Sequence, residues 1–383
     1  MLERVSICHI TTVHDAFDTR IFYKECTSLA KHFSECFLIA PLAHNTETDG
    51  IKILGVPSSP SRFKRFFITD FRTFKKALGI DVQIYHFHDP EFIPWALLLK
   101  SIKKVKIIYD VHEDYYYTIK EKEWIKGKWL RKVIASLFRH FEIVSSRHLD
   151  AIILADDCYN ESFKGVNKRI VEILNYPIIK NRPAEINFEK ASFSMVYSGT
   201  VSENRGLWNL LYVMKHLAKI RNDIKLYIIG KFVSNDLLAT AQDYIAKENL
   251  SACIEIVGGD SYIKREVIDS YHMKMDLGLF LPPPSKNYER KLSTKFFEYM
   301  LAGIPFIASN LKRWKAFVEE NRCGFTVDPN NTEEICKQII YLIEHPDIRK
   351  RMGEAGKKAV LEKYNWKTEE MKLVALYKEL LLQ

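Results

Sequence analysis

Two doubly wound α/β domains in tandem are what this chain predicts, and three observations predict them. Short β-branched or apolar runs alternate with helix-period stretches along the whole length, the pattern of parallel strands covered by helices. The chain has 383 residues, enough for about two domains at roughly 100 to 200 residues each. Near the middle, Asn175-Tyr176-Pro177 through Asn181-Arg182-Pro183 carries two prolines and reads as a linker. Composition agrees, since 47% hydrophobic and 27% charged residues exclude disordered, collagen and coiled-coil classes. No apolar run approaches the ~20 residues of a membrane span.

The elements follow in order. Met1-Leu2-Glu3-Arg4-Val5 leads into apolar sequence broken by His9 and Thr11-Thr12, without a small-residue cleavage site, so no signal peptide and a cytoplasmic location are expected. Strands of the first half are expected at 5–10, 36–40, 51–54, 83–87, 106–109 and 151–154; those of the second at 193–197, 225–229, 253–257, 277–281 and 306–308. Seven scattered cysteines without a Cys-x-x-Cys pair argue against disulfide scaffolds and zinc ribbons. Ligands of doubly wound sheets bind beyond the carboxyl ends of the strands, so the residues after each strand carry the search for a site.

In the first half, His86-Phe87-His88-Asp89-Pro90-Glu91 and Asp110-Val111-His112-Glu113-Asp114 end two strands and bring three histidines and five carboxylates towards one edge. Imidazole and carboxylate suit zinc or iron. The His-x-His-Asp run lacks the further histidine of hydrolase clusters, however. A metal-free site in which His112 contacts substrate is the working expectation, with helix capping and filled polar pockets as the plain alternative. The loop after the first strand, Thr11 to Arg20, has no glycine, so a dinucleotide fingerprint is absent and a nicotinamide oxidoreductase loses its support. Arg20 opens a helix over Ile21 to His32, where it meets either a phosphate or Asp18.

In the second half, Tyr197-Ser198-Gly199-Thr200 leads through Arg205-Gly206 into a helix over Leu207 to Ile220, a small-residue turn with a fixed charge that suits an anion. Further on, Ser293 or Thr294 caps a helix that Gly303 and Pro305 end. Lys295 and Glu298 share one face of it. A lysine at a helix N-terminus opposes the dipole unless an anion sits there, a local conflict of the type found at functional sites; the alternative is a surface Lys–Glu pair.

The segment Lys295 to Ser309, with Phe-Glu-Tyr-Met and Gly-Ile-Pro-Phe-Ile-Ala-Ser, resembles the GT-B glycosyltransferases, specifically retaining glycosyltransferase family 4. His14 to Lys24, His86 to Glu91 and Tyr109 to Tyr115 resemble a bacterial subgroup that builds surface polysaccharides. The resemblance implies two Rossmann-like domains facing a cleft: residues 1–178 on the acceptor side, 179–364 for the nucleotide sugar, and 365–383 as a helix crossing back. It implies that Glu298 binds the nucleotide ribose, and that Arg205, Lys295 and backbone around Ser293 and Thr294 hold the diphosphate with Gly199 and Thr200. Lys231 and Gly258 would flank the base, UDP being expected over GDP. His112 would lie against the donor sugar, with His14, Arg20, His88 and Glu91 on the acceptor side.

Two positions depart from the family pattern. Arg290 stands eight before Glu298 where a second glutamate is common, and Thr200 stands where an arginine is common. By resemblance, transfer proceeds with retention, without metal or cofactor, and with the leaving phosphate helping to deprotonate the acceptor. No Asp/Glu pair suggests a glycoside hydrolase. A sugar-nucleotide isomerase and a catalytically silent adaptor are the competing readings.

Charge is uneven. Residues 51–132 hold 17 Lys and Arg against 9 Asp and Glu, +8 of the chain's +9. Phe63, Phe66, Phe67, Phe71, Phe74 and Leu78 recur at helical spacing after Pro60, among Arg62, Lys64, Arg65, Arg72, Lys75 and Lys76; Lys120 to Lys132 adds Trp124 and Trp129. This composition suits an anionic inner-leaflet surface and a polyprenyl-diphosphate-linked or other glycan acceptor, or simply phenylalanines packed on the sheet. Nucleic acid is not expected, because no recognition module accompanies the charge.

Overall fold

The first sheet is built from β1 (Ser6–Ile10), β2 (Glu35–Pro41), β3 (Thr46–Thr48), β4 (Ile51–Val56), β5 (Ile84–Phe87), β6 (Lys106–Val111), β7 (Ala151–Leu154) and β8 (Ile170–Glu172). Their order is β3-β4-β2-β1-β5-β6-β7-β8. Strands β1, β5 and β7 are buried at every position, which is why they do not alternate polar with apolar residues; the polar Ser6, His9 and His86 within β1 and β5 are buried with the rest. The computed structural model describes residues 5–57, 59, 61, 64–122, 125–179 and 190–382.

All pairings in this sheet are parallel except β3 with β4. That hairpin turns through Asp49 and Gly50, both at positive φ (54° and 74°), the geometry of a two-residue type I′ turn. The sequence reading has neither β3 nor β8, which are three-residue strands at the sheet's two edges.

The second sheet comprises β9 (Phe193–Ser198), β10 (Ile224–Lys231), β11 (Ile254–Gly259), β12 (Leu277–Phe280), β13 (Phe306–Ser309) and β14 (Gly324–Val327), the last absent from the sequence reading. It is wholly parallel, in the order β11-β10-β9-β12-β13-β14. Counted from its own first strand this is the doubly wound 3-2-1-4-5-6 order, and the first sheet has it too once β3 is set aside, extended by β8 as a seventh strand at its edge. The order reverses beside β1 and beside β9, so the loops after β1, β5, β9 and β12 lie at the switch points where ligands of such sheets bind.

Contacts divide the chain into two units, Met1–Asn175 with Trp366–Gln383, and Tyr176–Asn365. The helix Trp366–Leu381 packs within the first unit. Its Trp366 Nε1 donates to Ser28 Oγ (2.9 Å), Glu369 accepts from the Leu174 amide (2.8 Å), and Leu373, Leu376 and Leu380 are buried. Of the expected linker, residues 180–189, including Asn181, Arg182 and Pro183, lie outside the described residues.

Two helical expectations change, and the second basic stretch takes a definite form. The run after Arg20 is a π-type turn over Ile21–Cys26 followed by a short α segment, Thr27–Leu29. The Glu25 amide donates to the Arg20 carbonyl five residues back (2.9 Å). This wider turn sets Arg20 and Glu25 on the same inward side. The phenylalanine stripe is also not one face. Phe71 and Phe74 pack on Trp95 (centroids 5.5 and 5.2 Å) with Phe74 buried, whereas Phe67 and Ile68 are about half exposed; Pro60, Arg62 and Phe63 lie outside the described residues. The second basic stretch holds the ends of two helices, Tyr115–Glu121 and Lys128–Ser146, with Trp129 76% exposed and Trp124 outside the described residues.

Candidate active site

In the second unit, two strand ends and the N-termini of two helices line a cavity of about 220 Å³. Gly199 and Thr200 follow β9, Gly230 and Lys231 end β10, and Arg265 opens the helix after β11. Gly230 sits at φ 140°, and a Cβ there would meet the Gly199 carbonyl oxygen at 2.1 Å, so only glycine lets these two loops touch.

The helix Thr294–Ala302 supplies the floor. Ser293 caps it by accepting from the Lys295 amide, and Gly303 ends it in the left-handed region. Lys295 lies in the first turn and is 6% exposed, with its Nζ over the Phe280 and Tyr197 rings (4.7 and 5.4 Å). A Cβ on Gly199 would stand 3.2 Å from that Nζ and 4.0 Å from an Arg205 nitrogen, so the lysine and arginine heads converge on the glycine turn. Burial first, then the neighbouring Arg205 charge, lowers the Lys295 pKa to about 8, against an opposing pull from Glu298.

Glu298 does not pair with Lys295, as a surface pair would require. It takes the Arg265 guanidinium at 2.6 Å, and Arg265 also holds Asp269 at 2.7 Å. Burial raises the Glu298 pKa, but Arg265, with His272 and Lys295, outweighs it and holds the carboxylate ionised. His272 is buried on Ser198 Oγ (2.9 Å), and burial takes its pKa down to about 4, so its ring is neutral. The cavity is thus a basic pocket containing one anchored carboxylate.

Of the predicted donor-side residues, Gly199, Thr200, Arg205, Lys231, Thr294, Lys295 and Glu298 line this cavity, and Gly258 and Ser293 do not. Ser293 is spent on its cap, and the place where a Gly258 Cβ would stand is 2.8 Å from the Ile263 side chain. Arg290 ends a separate short helix, Lys286–Arg290, outside the lining. Sequence reasoning missed Arg265, Tyr262 and Ile263. The signal available was the Gly-Gly turn, which made the next few residues candidates for the same rim.

In the first unit, Asp110 is the hub. Its carboxylate accepts from Arg20 Nε and Nη2 (2.9 and 3.0 Å) and from His112 Nε2 (2.9 Å), with His88 Nδ1 at 3.3 Å. Burial works to raise its pKa, but Arg20 and His112 hold it well below the usual range. Burial takes the His9 pKa down to about 3. His112 keeps partial exposure, with the His14 ring 4.9 Å from it.

Three acceptor-side expectations are corrected here. The Arg20 side chain is 4% exposed and turned to Asp110 rather than Asp18, and its remaining head nitrogen donates to the Ile173 carbonyl (2.8 Å). His88 is buried between His9 and His112, so it can act only through them. Glu91 stands apart, in a two-pronged pair with Arg65 (2.7 and 2.6 Å).

Two doubly wound parallel sheets with these switch-point sites constitute the GT-B architecture. Sucrose-phosphate synthase from Thermosynechococcus elongatus superposes with a TM-score of 0.76 over 99% of this chain and 100% of that one, at 15% identity. A glycosyltransferase from Rickettsia africae does so with 0.71, over 99% of each chain at 16% identity. At such identities the likeness is one of fold. Residues 179–359 match the family model described as glycosyl transferases group 1. An uncharacterized glycosyltransferase of Methanocaldococcus jannaschii is 23% identical over 79% of this chain and 76% of its own length. The lipopolysaccharide 1,2-N-acetylglucosaminetransferase of Salmonella typhimurium is 26% identical over 49% of this chain and 48% of its own. The chain thus spans about half the length of that relative. Family match, relatives and fold together support a glycosyltransferase of GT-B fold that draws on a nucleotide-sugar donor.

Proposed function

We propose that this chain is a retaining, family 4 hexosyltransferase that moves a sugar from a UDP-sugar donor to a glycan or polyprenyl-diphosphate-linked acceptor in surface-polysaccharide synthesis, without a divalent cation in the transfer step. The observation that carries the proposal is Lys295: a buried ammonium at a helix N-terminus, beside Arg205 and a glycine turn, is costly unless an anion completes it. A diphosphate fits that cradle, and Glu298 or Arg265 would then meet the nucleoside. In the step itself, the bond from the anomeric carbon to the diphosphate breaks and its electron pair leaves with the nucleoside diphosphate. The acceptor oxygen bonds to the same face, and its proton passes to a phosphate oxygen. Lys295, Arg205 and the helix amides stabilise the charge that develops on the leaving group. His112 would take part in the transfer step.

The acceptor class draws on the basic first unit and on the lipopolysaccharide activity for which the Salmonella relative is named. Among the described residues no helix is long and apolar enough to cross a membrane; docking would be peripheral, on the cytoplasmic face of an anionic bilayer.

The test is a thermal-shift panel of UDP, GDP, ADP and CMP sugars, followed by product analysis in magnesium-free buffer with lipid-linked acceptors. Stabilisation by UDP sugars and a retained anomeric configuration in the product are expected. Nucleotide binding without transfer to any acceptor would favour the adaptor, and an altered free sugar nucleotide the isomerase.

A further inference from the structure

We propose that His9 Nδ1, His86 Nε2, His88 Nε2 and a carboxylate oxygen of Glu25 form a closed, four-coordinate structural site for zinc inside the first unit. The four donor atoms come from the end of β1, the end of β5 and its following residue, and the π-type turn, and all lie within 4.8 Å of one another. Zinc bonds of about 2.0 to 2.2 Å in a tetrahedron put neighbouring donors roughly 3.3 Å apart. The structure has His9 Nδ1 3.0 Å from His88 Nε2, and Glu25 Oε2 3.7 and 3.8 Å from those two nitrogens. Shifts of a few tenths of an ångström would bring these three into place, with a somewhat larger swing for His86.

Two independent features point to a cation. Glu25 Oε2, the oxygen nearer His9 and His88, and His86 Nε2 are buried without a hydrogen-bond partner in residues 0% exposed, whereas Glu25 Oε1 lies 3.0 Å from Arg20 Nε. Such orphans each cost about 1 to 3 kcal/mol, and more for charged groups, unless something satisfies them. The opposite ring nitrogens, by contrast, are all engaged: His88 Nδ1 with Asp110 (3.3 Å), and His9 Nε2 and His86 Nδ1 with the Tyr377 hydroxyl (3.1 and 2.8 Å). Metal-bound histidines use their second nitrogen in this way, which fixes the tautomer and aims the lone pair inward. One guanidinium, Arg20, reaches both Glu25 (3.0 Å) and Asp110 (2.9 Å), which fixes the Glu25 side chain in place. The widened turn that seats Arg20 and Glu25 on one side is what delivers the carboxylate. Three imidazoles and one carboxylate suit zinc, and a fully occupied shell leaves no position for substrate, so the role is cross-linking rather than catalysis.

The inference concerns the first unit alone and stands or falls apart from the transfer reading. The experiment is elemental analysis of the full chain, freed of any affinity tag and dialysed against a weak chelator, together with cobalt replacement. About one zinc per chain is expected in the wild type, falling at least tenfold in folded Glu25→Gln and in the folded double variant His9→Asn, His88→Asn. Should those variants not fold, the wild type still decides: cobalt exchanged into the site should show the intense visible bands of a four-coordinate ion. Wild-type protein that holds no zinc and gives no such bands overturns the proposal. So do folded variants that keep the metal, or cobalt bands of a six-coordinate ion.

Discussion

Lys295 and Arg205 are the residues on which the transfer reading can be broken. Each change to alanine should cut turnover by on the order of 10²-fold or more, since preorganised charge on a leaving group is lost; steady-state rates with a saturating donor check this. Wild-type rates in both variants would show that the cavity is not where the donor binds. Lys295 also predicts a pH effect. Its folded pKa is lowered to about 8 from 10.5, so between those values the unfolded chain holds the extra proton. This group therefore adds stability to the ligand-free protein as pH rises through that window. A bound diphosphate favours the charged lysine, so donor affinity should be flat below about pH 8 and weaken above it. Titration calorimetry of wild type against Lys295→Arg separates the cause, because the arginine stays charged and a titrating ligand group acts on both proteins. For His112→Ala, reduced transfer with donor affinity largely kept is expected, because His112 is not among the residues lining the cavity proposed for the nucleotide; equal losses of rate and affinity would point to folding. Arg205 and Lys295 were legible because each sits beside a turn or cap with its own local pattern. Arg265 was not: it reaches Glu298 across 33 positions of sequence through the packing of two helices, and no local spacing records that. His9 and Glu25 were hidden for the same reason, each inside an element whose apolar character dominated its reading.

Among the elements, the helix Lys128–Ser146 is the one whose exposed face is out of place. Leu130, Ile134, Leu137, Phe141 and Val144 recur at spacings of four and three, the stripe that normally faces a core, yet all are exposed, Leu137 by 67%. With Trp129 and the basic residues Lys128, Arg131 and Lys132 at its start, the helix matches an interfacial one. Paired substitution of Trp129→Glu and Leu137→Glu should abolish co-sedimentation with anionic liposomes while leaving donor-induced thermal stabilisation unchanged. Wild-type binding should fall in high salt, each basic residue near the surface contributing about 1 kcal/mol. Negligible wild-type binding to anionic and neutral vesicles at both salt levels would remove the membrane from the proposal. This stripe was open to inspection in the sequence beyond Lys132, but spacing alone does not say which side of a helix is wet. The strands show the reverse case. Eleven were legible because burial on both faces leaves continuous apolar runs, whereas Thr46–Thr48 is polar and lies at an edge, so only its Asp49-Gly50 turn announced it.

At the scale of the molecule, the last helix is part of the first unit's core. Truncation before Trp366 should strip amide-exchange protection from β1 and β5 while sparing β9 to β13, which exchange mass spectrometry can resolve; uniform loss would mean that the units are not separable in stability. A milder probe is Tyr377→Phe, which removes the one hydroxyl shared by His9 and His86 and should cost about 1 to 3 kcal/mol in denaturant unfolding.

That shared hydroxyl also bears on how the protein is made. The strands carrying His9 and His86 leave the ribosome early, but Tyr377 is translated only after the whole of Tyr176–Asn365. At 5 to 20 residues per second, that delay is roughly 10 to 40 s. During it, the first-made sheet waits with two imidazoles lacking their partner, while the later-made unit has all its strands once Gly324–Val327 is translated, before the last helix. The usual order of synthesis and maturation is inverted: the half begun first is the half finished last, and for that interval it is the nascent chain's most exposed target for chaperones and proteases.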